Sequence, residues 1–526
     1  MILRRRPTHW KVIRRVSTDT DIDIKSAVPP WEAAPGRWWA PSLIAVVIGV
    51  VVFAVARTSL IDDAYITLDY ARNVAFHLHW GLITGATANT ATSPLNVLLI
   101  ALCTAITRDP PLALGIVFVL STVALEFGLR TAARAVGLPG WLGLLATVLV
   151  SVNPLLVSSI GLETALGGGL IALLLAASVT GRPAWFGVLA GLLVLTRPDL
   201  LIVALVLFFV RPDRTRGWVR SLLAALAVTL PWYLFSWLRL GSALPDTLLI
   251  KTGQRSWGGI NFGNGPDMYL SAFPTAAVLS FLPAALGGVA TLGWLAARFA
   301  RPTERLRRLD GFVALPVAGG LYYLAYTLLG VPPYHWYYGP SIICLTLFLA
   351  AAIAALPLGS ARRSWPVLAG LVASLGLVVA SASAYATAGL PRQFAPFTTN
   401  WAAPNEYAGI GAQVGRLAGG RPVASFGEIG AVAYFCDCPM VDEFSDRGAV
   451  VSRVNAMLDK GSTLKRDLLS SNFRFLDRTQ RPVTPRLVLT YTDAPAPNAL
   501  GRWRVHSIWL GPGPHYISLV PNITRH

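Results

Sequence analysis

Two consecutive acids, Asp62 and Asp63, directly follow an apolar run of membrane-spanning length, in "RTSLIDDAYITLDYARNVAFHLHW" at 57–80. A carboxylate at a water–lipid boundary can act as a general base or hold a cation beside a phosphate, and partial burial raises its pKa toward the range a base needs. Neighbouring residues in most backbones point to different sides, so one acid is expected to do chemistry while the other orients it or binds metal. The plain alternative is a helix-ending loop in which acids are simply tolerated.

Further polar groups sit at the ends of other apolar runs. "NTATSPLN" at 89–96 offers hydroxyls and amides, with Ser93 and Pro94 suited to a helix start. "SSIGLETAL" at 158–166 places Glu163 where a helix re-enters an apolar layer, which also fits a simple helix-start acid. "LTRPDLL" at 195–201 sets Arg197 and Asp199 between two apolar half-length segments, where charge is a functional candidate or an internal ion pair. "GSALPDTLLIKTGQRSW" at 241–257 carries Lys251 and Arg255, a basic pair suited to a phosphate or to lipid headgroups. "PPYHWYYGP" at 332–340 packs His335 among Tyr334, Trp336, Tyr337 and Tyr338, as an aromatic belt or a sugar-stacking surface would. Together these segments suit a substrate with an anionic phosphate head and a hydrocarbon tail.

The elements that must position these groups follow from composition. Of 526 residues, 54% are hydrophobic and only 13% charged, and the mean hydropathy is +0.56. A soluble domain carries about 25% charged residues, so much of this surface faces lipid. Apolar runs at 41–60, 112–129, 141–157, 163–179, 184–196, 199–210, 219–238, 272–297, 312–330, 338–357 and 365–385 predict about eleven crossings. The run at 92–106 is read as a short re-entrant or interfacial helix.

The net charge of +18 is concentrated at 4–15, 211–220, 298–308 and Arg362–Arg363, all flanking apolar runs. That is the pattern of cytoplasmic loops and not of a nucleic-acid partner. It places the N-terminus in the cytoplasm and the candidate residues on the outer face. The expected organisation is a cytoplasmic basic segment over 1–38, a transmembrane catalytic domain over 39–385 and an extracytoplasmic domain over 386–526. Strand-like runs "RPVASFG", "RLVLTYT" and "HYISLV", with helical stretches near 405–418 and 446–460, make that last domain α/β or α+β. The first apolar run lacks an A-x-A cleavage pattern and reads as a retained anchor. The four cysteines fit neither a disulfide framework nor a zinc site. Cys103 and Cys344 lie in apolar runs, and the C-x-C of Cys436 and Cys438 is too short for a relaxed disulfide.

In order along the chain, "DDAYITLDYARN", "TSPLN", "GLETAL", "LTRPD", "LPDTLLIKTG" and "YHWYYGP" resemble the GT-C superfamily of polyprenyl-phosphate-sugar glycosyltransferases. The likeness leans toward actinobacterial terminal arabinofuranosyltransferases, and "SFGEIGAVAYFCDCPMVDEFS" at 425–445 is similar to their outer-domain segment. It covers roughly residues 40–460. It implies a polytopic α-helical membrane protein of GT-C type with a C-terminal extracytoplasmic α/β domain. It implies a catalytic base among Asp62 and Asp63, and donor contacts from Lys251, Arg255, Arg197, Asp199, Glu163, His335 and Ser93. Acceptor contacts are expected from Tyr334, Trp336, Tyr337 and Glu428. Where the family pattern has E-G-Y before T-S-P-L, this chain has "TANTA" at 87–91.

The reaction so implied is inverting transfer of a sugar, arabinofuranose first and mannose second, from a polyprenyl phosphate to an envelope glycan or lipoglycan at the cell membrane. No cofactor is required by this reading, although a divalent cation (Mg, Mn or Ca) on Asp62 or Asp63 could assist. A lipid-linked sugar flippase and a non-catalytic envelope scaffold are the readings from other classes.

Overall fold

The computed structural model describes residues 38–211, 214–254, 256–300, 303–356 and 361–522. The basic cluster at 4–15 and Arg255 lie outside them. The chain divides into Met1–Ala40 and Pro41–His526, and the second unit holds every strand and every residue of the cavity described below.

Ten of the eleven apolar runs each form a helix, and the run at 141–157 forms two, Leu142–Ser151 and Pro154–Ser158. Among the described residues five helices are long and apolar enough to cross a membrane: Pro110–Ala135, Gly217–Arg239, Pro274–Ala300, His335–Ala355 and Trp365–Thr387. Seven more apolar helices, Pro94–Thr107 among them, have 10–17 residues. Proline in the first turn starts many of them, as in Pro94, Pro110, Pro183 and Pro274, because its missing N–H is one the helix start leaves unpaired anyway. Large apolar side chains remain outward, for example Leu292 (67% exposed) and Leu375 (62%), which is stable only against lipid. Inside, small residues let backbones touch. A Cβ on Gly128 would lie 2.6 Å from the Ala172 carbonyl carbon, and one on Gly169 would lie 2.7 Å from the Ser121 oxygen. The helices Pro110–Ala135 and Thr164–Val179 therefore pack by close approach, as helices in lipid do.

The C-terminal region forms one five-stranded sheet from β1 (Val423–Ala424), β2 (Met440–Val441), β3 (Leu487–Thr492), β4 (Gly501–Val505) and β5 (His515–Pro521). The order is β2-β1-β3-β5-β4. β1 pairs in parallel with β2 and β3, and β5 runs antiparallel to β3 and β4. Helices Pro404–Ala418, Gly430–Cys436 and Arg447–Lys460 accompany it. One apolar cluster joins this region to the membrane helices, running from Leu60, Leu68 and Ile100 through Trp336 to Tyr407, Val432 and Leu519.

Contrary to the expectation from their spacing, the two cysteines of the C-x-C are bonded to each other: Cys436 and Cys438 are joined as a disulfide with their Cα atoms 5.1 Å apart. Asp437 between them adopts a left-handed conformation, φ 48°, which folds the chain back and brings the two side chains together. Cys344 is buried and Cys103 partly so.

Candidate functional site

The Asp62–His77 helix begins at the site. It is clamped to the C-terminal region along one face: Tyr65 packs against Tyr434 and Phe435, each at 5.4 Å. Two turns further on, Arg72 donates to the Tyr434 carbonyl at 3.0 Å and pairs with Asp69 at 2.8 Å.

The two leading aspartates separate in role. Asp62 is 5% exposed, and both of its oxygens are engaged. Oδ2 accepts from the Gly430 N–H at 2.9 Å and Oδ1 from the Ala431 N–H at 2.7 Å. These are unpaired donors at the start of the Gly430–Cys436 helix. Glycine is required there, since a Cβ on Gly430 would fall 1.9 Å from the Asp62 carbonyl oxygen. Burial and the neighbouring Asp63 charge push the Asp62 carboxyl up to about 7, against the pull of its backbone donors. Asp63 turns the other way. Burial raises its pKa, and the Lys251 ammonium draws it back down.

Asp62 and Asp63 line a cavity of about 600 Å³, together with Ser93, Glu163, Lys251, Tyr334, Trp336, Tyr337 and Glu428. Nine residues singled out along the sequence thus meet in one place. Ser93 does so without capping its helix: no side-chain hydrogen bond closes that N-terminus, so the hydroxyl is not spent there. Lys251 sits on the Thr247–Gln254 helix with its Nζ 3.5 Å from the Tyr334 ring centroid and 5.3 Å from that of Trp336. Aromatic faces hold an ammonium without neutralising it. Glu428 comes from the β1–β2 connection, where its carboxylate accepts from the Trp401 N–H at 3.1 Å and from Asn400 Nδ2 at 3.3 Å. Burial and the nearby Asp62 charge raise its pKa well above the usual carboxylate range.

Three candidates lie elsewhere and one cannot be placed. Arg197 and Asp199 are absent from the cavity wall. The Arg197 guanidinium pairs with Asp199 at 2.5 Å and Glu163 at 3.1 Å, bonds Tyr322 and Tyr326, and rests 4.9 Å from the Tyr337 centroid. Such a buried, fully paired guanidinium braces Glu163 from behind. His335 is 1% exposed and packs among Tyr269, Trp336 and Phe397, behind the wall that its neighbours form. Arg255 falls outside the described residues.

The cavity also contains residues the motifs did not suggest: Trp257, Asn400, Trp401, Asp442 and Trp509. Asn400 is central, since its Oδ1 accepts the Asp62 N–H at 3.3 Å while its amide reaches Glu428. Its partner Asp62 lies 338 residues earlier, so no local signal could have marked it. Among the described residues no three His, Cys, Asp or Glu are grouped so as to hold a metal ion, and Asp62 has both oxygens engaged by backbone donors.

No protein-family model matches the sequence, and no curated protein matches it. Solved structures do match in fold. ArnT from Cupriavidus metallidurans bound to undecaprenyl phosphate superposes with a TM-score of 0.53 at 13% identity, over 93% of this chain and 99% of that one. The Archaeoglobus fulgidus oligosaccharyltransferase in complex with Zn and sulfate gives 0.51 at 12%, over 86% and 67%. The same archaeal enzyme, AglB, with an inhibitory peptide and a dolichol-phosphate gives 0.51 at 11%, over 86% and 70%. The likeness is one of fold: this chain shares the fold of ArnT and of the archaeal oligosaccharyltransferase.

Proposed function

We propose that the protein is an integral membrane glycosyltransferase that moves a sugar, arabinofuranose first, from a polyprenyl-phosphate donor to a cell-envelope glycan on the outer face. The observation that carries this reading is that Asp63 and Lys251 line one cavity, where the ammonium draws the carboxyl's pKa down against the effect of burial. A base and a cation so placed match the two ends of a glycosyl transfer. The Asp63 carboxylate takes the proton of an acceptor hydroxyl as its oxygen bonds to the anomeric carbon. The bond from that carbon to the phosphate oxygen breaks, and the phosphate leaves with the electron pair beside the Lys251 ammonium. Attack and departure on opposite faces give inversion. Structures of the same fold with undecaprenyl phosphate and dolichol-phosphate support a polyprenyl carrier. The choice of arabinofuranose rests on the motif order from "DDAYITLDYARN" to "YHWYYGP".

The test is transfer by the purified protein in proteoliposomes supplied with polyprenyl-phosphate arabinofuranose or the mannose counterpart and a glycan acceptor. We expect the acceptor to gain one pentose, with the mannose donor much slower. A lipid-linked sugar that crosses the bilayer while no glycan is extended would overturn the reading in favour of a flippase.

A further inference from the structure

Besides Trp336, three indoles line the cavity, each from a different segment: Trp257 from the turn after the Thr247–Gln254 helix, Trp401 just before the Pro404–Ala418 helix, and Trp509 from the β4–β5 connection. All three are half-buried, so each keeps some surface open. Each is also held in place. Trp257 meets Tyr334 edge-on at 4.9 Å. Trp401 packs against Tyr491 at 5.1 Å and Phe426 at 5.6 Å. Trp509 stacks over Phe273 at 6.2 Å. Its loop is pinned by Ser507, whose hydroxyl donates to the Asn400 carbonyl at 2.8 Å and accepts the Trp509 N–H at 3.2 Å. Rings fixed in this way offer flat apolar area with little ordering entropy left to lose on binding.

The charge around them is lopsided. Among the described residues the cavity wall contains the acids Asp62, Asp63, Glu163, Glu428 and Asp442 and one basic residue, Lys251. Once the donor phosphate occupies that ammonium, a second anion would meet carboxyl groups with no further cation on the wall among the described residues, which disfavours it. Hydroxyl groups fare the opposite way, since carboxylates accept from them and Asn400 can exchange hydrogen bonds with them.

Building on the transferase reading, we infer that Trp401 and Trp509 form the acceptor subsite, and that it takes an uncharged saccharide rather than an anionic glycan or a peptide. The C–H faces of the sugar rings lie on the indoles and the hydroxyls turn to Glu428 and Asn400. The C-terminal region thus contributes specificity for the acceptor, and the Lys251 side contributes affinity for the donor.

Two measurements on the full chain in nanodiscs test this. With an arabino-oligosaccharide acceptor, Trp401→Ala and Trp509→Ala should each raise the acceptor KM about tenfold. The donor KM and the rate at saturating acceptor should stay within about twofold, and Trp509→Phe should recover most of the loss. A uronic-acid-bearing oligosaccharide should fail to compete. Equal competition by that anion, or donor and acceptor KM rising together, would overturn the assignment. Saturation-transfer NMR of the neutral oligosaccharide needs no turnover. Contacts to its ring C–H protons are expected in the wild type and lost in both alanine variants. Their absence from the wild type would sink the subsite, whereas contacts present without any transfer would leave it standing and count against the transferase reading alone.

Discussion

Asp63→Asn is expected to lower the rate of transfer at saturating donor by about 10²–10⁴-fold, the usual contribution of a positioned general base, with donor affinity retained. The amide keeps the shape of the carboxylate and its place in the cavity but cannot take a proton from the acceptor hydroxyl. Lys251 keeps its aromatic seat against Tyr334, so the phosphate end of the donor is still held. The pH profile supplies the independent readout. Because burial raises Asp63 above the ordinary carboxylate value and Lys251 only partly offsets this, the wild-type rate should climb with pH through an inflection above about 4 and then level off. The residual rate of the variant should lack that inflection. Asp62→Asn acts differently. It replaces one of the two acceptors for the Gly430 and Ala431 N–H groups with a donor, so its loss of activity should be accompanied by a loss of stability. A wild-type rate that falls between pH 5 and pH 8, or an Asp63→Asn protein as fast as wild type, would remove Asp63 from the role of base.

Arg447→Met should be the most destabilising single change in the C-terminal region, by about 3–5 kcal/mol, because it strands a buried carboxylate. Arg447 lies 3.2 Å from Asp246, whose side chain is 0% exposed, and also donates to the Leu240 carbonyl. Burial already pushes Asp246 up to about 6 even with the arginine present. Asp246 anchors the start of the Lys251 helix: its N–H donates to the Asn89 carbonyl at 2.7 Å and its carboxylate accepts from Ser242 at 2.8 Å. The loss should therefore appear both in denaturant unfolding and in donor KM. Adding Asp246→Asn removes the stranded charge and should recover a large part of the stability, so the double-mutant cycle should show strong coupling. Effects that simply add would mean the ion pair does not hold that helix.

The helices were legible because each buried or lipid-facing run is rich in apolar residues, and all eleven runs are helical, the one at 141–157 as two helices broken at Asn153. The site was legible to the extent that its residues adjoin those runs. Asp62, Asp63, Glu163, Lys251 and Tyr334 are conspicuous because polar groups beside a hydrocarbon layer need a reason. Two kinds of information were not available locally. One is direction: nothing in "DDAY" says that Asp62 turns to the Gly430 helix and Asp63 to the cavity, because the partner lies 368 residues away. The other is satisfaction. Arg197 looks like a ligand for a substrate until Asp199, Glu163 and the tyrosines are seen paired with it, whereas His335 is set apart by burial among aromatic rings rather than by pairing. Trp401 and Trp509 escaped notice for the opposite reason, since each stands apart from the apolar runs and only the fold gathers them. The Cys436–Cys438 bond depended on the left-handed turn at Asp437, which spacing alone does not reveal.

The central claim is that a lipid phosphate meets Lys251 in the same cavity where Asp63 meets the acceptor. A cryo-EM structure of the full chain in nanodiscs with polyprenyl phosphate tests it directly. The account predicts phosphate density within hydrogen-bonding reach of Lys251 Nζ, with the Asp63 carboxylate across the cavity and the lipid tail leaving between apolar helices. Phosphate density beside Arg197, or anywhere outside the cavity while Lys251 stays vacant, would contradict it.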